Sequence, residues 1–320
     1  MTAEQRGDGR LDGSVNDRAV APRVAYRVWQ RYRYSYSAPV HDVRQCLVLI
    51  PPTRHLDQHL VMHSLDVTGS VGGVEVNWEV DRFGNRVCRV AVQSVSDRLE
   101  FVAEYEVERN GAGDTSAPSS SEPPWSEESY LELTALTAPN DRLRLTAKEI
   151  ERQSELQSRQ AELAAAWVSS AIRYRIGVTS WETAAATALQ LGYGVCQDYA
   201  HLLLSLLRVL GIPARYVSGH LLGEGAPHAW VEALCTDPAE SGGVQLVEYD
   251  PTHRRQTGPN YIRVAVGRDF GDISPTSGSF RGRATGRLSY AKRAEVVGAP
   301  PALNAVYGVH FRGEHDATSH

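Results

Sequence analysis

Between residues 26 and 36, Tyr26, Val28, Tyr32, Tyr34 and Tyr36 occupy even positions, and Arg27, Trp29, Arg31 and Arg33 occupy odd ones. That period of two predicts a half-buried strand. Over residues 99–107 the same alternation sets Leu99, Phe101, Ala103, Tyr105 and Val107 against Glu100, Glu104 and Glu106. Apolar runs at 46–50, 74–80 and 87–92 predict further strands, and Phe83-Gly84-Asn85-Arg86 suits a hairpin turn. Residues 24–109 are therefore expected to form a small antiparallel β-domain.

The pattern then changes. Residues 110–127 are rich in Gly, Ser, Pro and acids, which supply no core and predict a linker or surface loop. Residues 146–173 contain Ala, Glu, Gln, Arg and Leu without Pro, which predicts one or two helices. Further on, Tyr199, Leu202, Leu203, Leu206, Leu207 and Leu210 recur at three- and four-residue spacing until Gly211 and Pro213 end the helix. Strands are predicted at 214–218, 228–233 and 244–249, with a break at 237–243. The whole is an α+β chain with a leader at 1–23, the β-domain at 24–109, a second domain at 128–298 and a tail at 299–320.

Composition narrows the function. With 320 residues, 42% of them hydrophobic, the chain can bury two modest cores. Its formal charge of -5 comes from interspersed acids and bases and offers no basic stripe for nucleic acid. No stretch has the length and apolarity of a membrane span, and residues 1–23 lack the apolar core of a secretory signal. Cys46, Cys88, Cys196 and Cys235 stand too far apart for a zinc or dithiol motif, so neither metal nor cofactor is expected. A reduced, cytoplasmic setting is expected.

The amphipathic helix begins at Cys196. There, unpaired backbone N–H groups and the positive end of the helix dipole favour a thiolate and can donate to an oxyanion. Gly192 and Gly194 allow the sharp approach. His228, Trp230 and Glu232 share one face of the 228–233 strand, and Asp250 ends the next. If those strands are antiparallel neighbours, the carboxylate reaches the imidazole. His228 would then take the thiol proton and later give it to a leaving amine, held in orientation by Asp250.

Four segments together resemble the bacterial transglutaminase-like proteins: Gly194-Val195-Cys196-Gln197-Asp198-Tyr199-Ala200-His201, Gly211-Ile212-Pro213-Ala214-Arg215-Tyr216-Val217-Ser218-Gly219, His228-Ala229-Trp230-Val231-Glu232 and Asp250-Pro251-Thr252-His253. Residues 34–40 and 81–85 look like the β-domain that accompanies them, and 264–272 is similar to a segment following their core. The resemblance implies a papain-like core, with Cys196 matching the nucleophile, His228 the base and Asp250 the third member. His253 stands where the family often has Asn, and an aromatic residue common before the aspartate's strand is missing near Val244. Tyr193, His220 and Trp230 are candidate substrate contacts, and His201 is another on the same footing as His220. Asp198 and Arg208 suit the two ends of the helix dipole, Arg268, Asp269 and Asp272 suit a loop held by salt bridges, and Cys46, Cys88 and Cys235 suit packing.

The resulting expectation is an amide-bond enzyme working through an acyl-enzyme on Cys196, a peptidase or amidase acting on a peptide, protein or acyl amide. A transglutaminase or acyltransferase resolves the same intermediate with an amine. A catalytically silent binding module is a third reading, disfavoured by the presence of all three triad residues.

Overall fold

The alternation over residues 26–36 becomes β1 (Val24–Tyr36), with Tyr26, Val28, Gln30 and Tyr32 buried and the intervening residues half-buried. The structure is a computed structural model describing residues 23–109, 127–236, 244–297 and 311–315. The expected leader, linker and 237–243 break fall essentially outside the described residues.

β2 (Val40–Leu47), β3 (Arg54–His55), β4 (Gln58–Val80) and β5 (Arg86–Arg109) follow. β5 pairs antiparallel with β1, β2 and β4. The two strands expected at 87–92 and 99–107 are one strand, because the β4–β5 hairpin bends at register shifts instead of breaking. Gly69 marks one bend: its φ is +92°, and a Cβ there would lie 2.0 Å from the Arg98 carbonyl oxygen. Most of β4 lacks alternation because it is largely exposed. The 46–50 segment is strand only to Leu47.

After the first sheet come α1 (Glu127–Leu131), α2 (Asp141–Glu151), α3 (Gln157–Ala171), β6 (Arg173–Tyr174), α4 (Ala185–Leu191), β7 (Tyr193–Gly194) and α5 (Cys196–Val209). The second sheet is built from β8 (Ala214–Leu221), β9 (His228–Thr236), β10 (Val244–Asp250), β11 (Arg255–Gln256) and β12 (Tyr261–Gly267), in the order β11-β10-β9-β8-β12. α5 is buried from Asp198 to Arg208. Each of its fully buried leucines contributes on the order of 2 kcal/mol by leaving water. β9 is buried on both faces: Ala229, Val231 and Ala233 join the large core with α5, while Trp230 packs with Val217, Tyr261, Val266, Phe83 and Tyr130.

The last strands do not belong to this second sheet. β13 (Thr276–Arg281) pairs with β2, β14 (Gly286–Val296) with β1, and β15 (Phe311–His315) with β14. Residues 276–296, grouped by sequence with the second domain, thus complete the first sheet, and part of the expected tail is a strand. Side chains also join the sheets. Arg263 of β12 pairs with Asp57, Glu232 and Glu248, and Arg109 of β5 pairs with Asp57. Asn85 of the expected turn exchanges two hydrogen bonds with the Val266 backbone, at 2.7 and 2.8 Å. Among the described residues no helix is long and apolar enough to cross a membrane.

Candidate active site

Cys196 is the first residue of α5, half-buried, with extended Val195 before it. The turn is fastened by Asp198, whose Oδ2 accepts from the Val195 N–H and the Thr179 hydroxyl, each at 2.7 Å. This contact explains Gly194: a Cβ there would sit 2.6 Å from Cβ of Asp198. Asp198 is thus a helix-start brace. The Cys196 N–H, at the first helical position, stands outside the intrahelical ladder.

His228 opens β9, and Asp250 closes the neighbouring antiparallel β10. Nε2 of His228 donates to Oδ2 of Asp250 at 2.7 Å, and the ring also hydrogen-bonds the Cys196 side chain. With Nε2 held, Nδ1 is left for the sulfur. Burial opposes charge on the ring, but Asp250 and Cys196 outweigh it and push His228 up to about 10. Oδ2 of Asp250 also accepts from Nδ1 of His253 at 2.8 Å and from the Tyr261 hydroxyl at 2.7 Å. Its Oδ1 accepts the N–H groups of Thr252 and His253. Burial alone would raise this carboxyl, yet these donors hold it well below the usual carboxylate range.

Three groups carried no sequence signal. Glu224, in the β8–β9 loop, lies 3.4 Å from Nδ1 of His228 and 2.9 Å from Nε2 of His253. Lys292 reaches in from β14 and donates to the Ala226 carbonyl at 2.9 Å. Burial pulls Lys292 down to about 8, opposed by Glu224 and Cys196. Tyr261 comes from β12. An acid among loop glycines reads as solvated, and no local periodicity reveals that β14 returns to this cleft. His253, marked only as a departure from the family's Asn, is bound to both carboxylates and pushed up to about 9 by its hydrogen bonds to them.

The remaining candidates separate clearly. Trp230 is wholly buried, with its ring 6.3 Å from that of His228 as a backing plate. His220 is also buried, stacked on Tyr105, so both lie beneath the surface a substrate would touch. Tyr193 is half-buried, with Arg175 over its ring. His201 is buried, accepts the Phe270 N–H at 3.2 Å, and is pulled down to about 3 by burial and Arg208. Arg208 donates to the carbonyls of Tyr130, Ala214 and Arg268. Arg268 pairs with Asp272 and Glu132, and Asp269 caps a short 3-10 turn at Phe270–Asp272. Cys88 and Cys235 are buried and Cys46 is half-buried.

A family model described as the transglutaminase-like superfamily matches residues 144–250, and one described as the bacterial transglutaminase-like N-terminal region matches residues 26–108. An uncharacterized protein of Mycobacterium leprae is 40% identical over 164 residues, covering 48% of this chain and 55% of that protein. One from Mycobacterium tuberculosis is 36% identical over 116 residues, covering 33% and 36%. The chain thus matches about half the length of the first relative and less of the second. The crystal structure of a candidate cysteine protease from Cytophaga hutchinsonii matches with a TM-score of 0.68 at 19% identity, over 92% of this chain and 99% of that one, a likeness of fold. With a cysteine at the helix start facing paired strands, and a β-domain of the matching kind before them, residues 144–250 carry a transglutaminase-like core and residues 26–108 the bacterial transglutaminase-like N-terminal region.

Proposed function

We propose that this protein hydrolyses amide bonds through an acyl-enzyme on Cys196, with His228 as proton carrier and Asp250 as its orienter. The observation that carries the reading is the position of His228, with Nε2 fixed by Asp250 at 2.7 Å and the Cys196 thiol bonded to the same ring. In the first half-reaction the thiol proton passes to Nδ1 and sulfur attacks the acyl carbon. The Cys196 N–H donates to the resulting oxyanion. His228 protonates the amine as the C–N bond breaks, leaving a thioester. It then takes a proton from water, which attacks the thioester, and the C–S bond breaks to restore the thiol.

The substrate we propose is a peptide, protein or acyl amide with apolar groups beside the reacting carbonyl. Tyr174, Ile176 and Trp181 are exposed on the segment leading to α4, and Gln197, next to the nucleophile, donates to the Trp181 carbonyl at 3.1 Å. That apolar rim suits an extended chain. The four free thiols fit a reducing, cytoplasmic setting, which belongs to the same proposal.

Incubation with a library of peptides and acyl amides, quenched and read by mass, tests the reading. An adduct on the peptide containing Cys196, released as a carboxylate even with added amine, is the expected result. Adducts confined to another residue would overturn the nucleophile. Release chiefly as the new amide would replace hydrolysis with transfer.

A further inference from the structure

The arrangement around Asp250 leaves three donors converging. A carboxylate only accepts, so His228 must carry its proton on Nε2 and His253 on Nδ1, the nitrogens 2.7 and 2.8 Å from Oδ2 of Asp250. In neutral rings the lone pairs then sit on Nδ1 of His228 and Nε2 of His253. Both face Glu224, at 3.4 and 2.9 Å. One ligand atom from each of the three residues fits within 4.8 Å of the others.

Two lone pairs and a carboxylate this close repel unless positive charge lies among them. Protons on the rings supply it in the catalytic cycle, and a divalent cation supplies it with the rings neutral. The surrounding shell is the one metal sites use: a buried carboxylate fixes the tautomer and orientation of both imidazoles from behind. Two imidazoles and one carboxylate suit zinc, with a further position left for water. Glu224 and His253 are each 34% exposed at their side chains, so the donors are reached from solvent while His228, at 2%, forms the floor.

We propose that Glu224, His228 and His253 form a zinc site whose occupation takes the catalytic base out of service. The inhibitory half rests on the function proposed above; the binding half does not. Zinc bound to Nδ1 of His228 occupies the lone pair that receives the thiol proton, so turnover stops until the metal leaves.

The full chain, stripped with chelator, is titrated with zinc chloride by calorimetry alongside Glu224→Gln, His253→Asn and Cys196→Ala, each checked by thermal melt. One equivalent should bind the unsubstituted protein and Cys196→Ala, with affinity at least about tenfold weaker in the other two. Cobalt chloride should shift and broaden the resonances of two histidine rings in the unsubstituted protein, a readout needing no variant. Absence of stoichiometric binding, loss of binding in Cys196→Ala, or unchanged affinity in both Glu224→Gln and His253→Asn would overturn the site. On a substrate found in the mass experiment, zinc should abolish turnover and chelator restore it. Binding without inhibition would overturn the proposed consequence. A zinc-free protein inert to every substrate would count against the hydrolase reading instead, with calorimetry still deciding the site.

Discussion

Replacing Asp250 with Asn alters one charge and almost no volume, yet it should invert the proton arrangement of the site. Asp250 accepts from His228, His253 and Tyr261 on one oxygen and from two backbone N–H groups on the other. An asparagine keeping its oxygen toward the Thr252 and His253 N–H groups turns its NH₂ toward the two rings and the phenol. Nε2 of His228 must then accept, which places the proton on Nδ1, the nitrogen that has to receive one from Cys196. A triad base in the wrong tautomer loses on the order of 10⁴-fold in kcat, about 5 kcal/mol of transition-state stabilisation. Cys196→Ala and His228→Ala should lose more, since they delete the proposed nucleophile or base. The assay is steady-state turnover with thermal melts beside it, and imidazole nitrogen resonances report the tautomer directly. A folded Asp250→Asn variant within tenfold of the parent kcat would refute the orienting role. One as inactive as Cys196→Ala would show that the carboxylate does more than orient.

Three other outcomes are expected. Iodoacetamide at pH 7 should label Cys196 far faster than Cys46 or Cys88, whose thiols burial pushes up, to about 11 for Cys88, and faster than buried Cys235; equal labelling by peptide mass would count against this. Because His253 and His228 are raised to about 9 and about 10, their stabilising contribution is complete below the ordinary histidine range, near pH 6.5, and is lost as pH climbs through those values; melting temperature should fall over that window, less so in Asp250→Asn. Arg263→Met leaves Glu248 without its ion-pair partner, with Glu232 still paired to Arg215 and Asp57 to Arg109, and should cost about 3 kcal/mol by urea denaturation, a loss under 1 kcal/mol showing that the network does not hold the sheets together.

The parts of the fold legible in the sequence are those governed by local spacing. The leucines of α5 repeat at helical intervals and Gly211 ends them, so Cys196 could be placed at a helix start. The order of His228, a short break and Asp250 followed from antiparallel pairing of adjacent strands, and β9 and β10 pair that way, bringing imidazole and carboxylate to 2.7 Å. Grouping by chain proximity failed at β14, where Tyr32 pairs with Tyr290 across most of the chain. Alternation in that strand says which side is buried but not which strand lies beside it. Trp230 and His220, named from the sequence as candidate substrate contacts, are both buried. Their burial follows from how closely β8, β9 and β12 pack: a Cβ on Gly219 would lie 2.1 Å from the Ile262 carbonyl oxygen and 2.6 Å from the Trp230 ring.

The return of β14 changes what the first sheet does. A β-domain joined only by a linker would leave the catalytic core complete without it. Here Lys292 of β14 crosses to the Ala226 carbonyl and so braces the loop that carries Glu224. Burial, with a smaller contribution from Cys196, raises the pKa of Tyr290 on the same strand. β14 is held in place by its pairing with β1, and β1 by β5. The position of Glu224 beside the two histidines therefore depends on a strand ladder that begins at residue 24. The first sheet, through Lys292, thus holds the Glu224 loop, and its removal would take away that brace and free the loop.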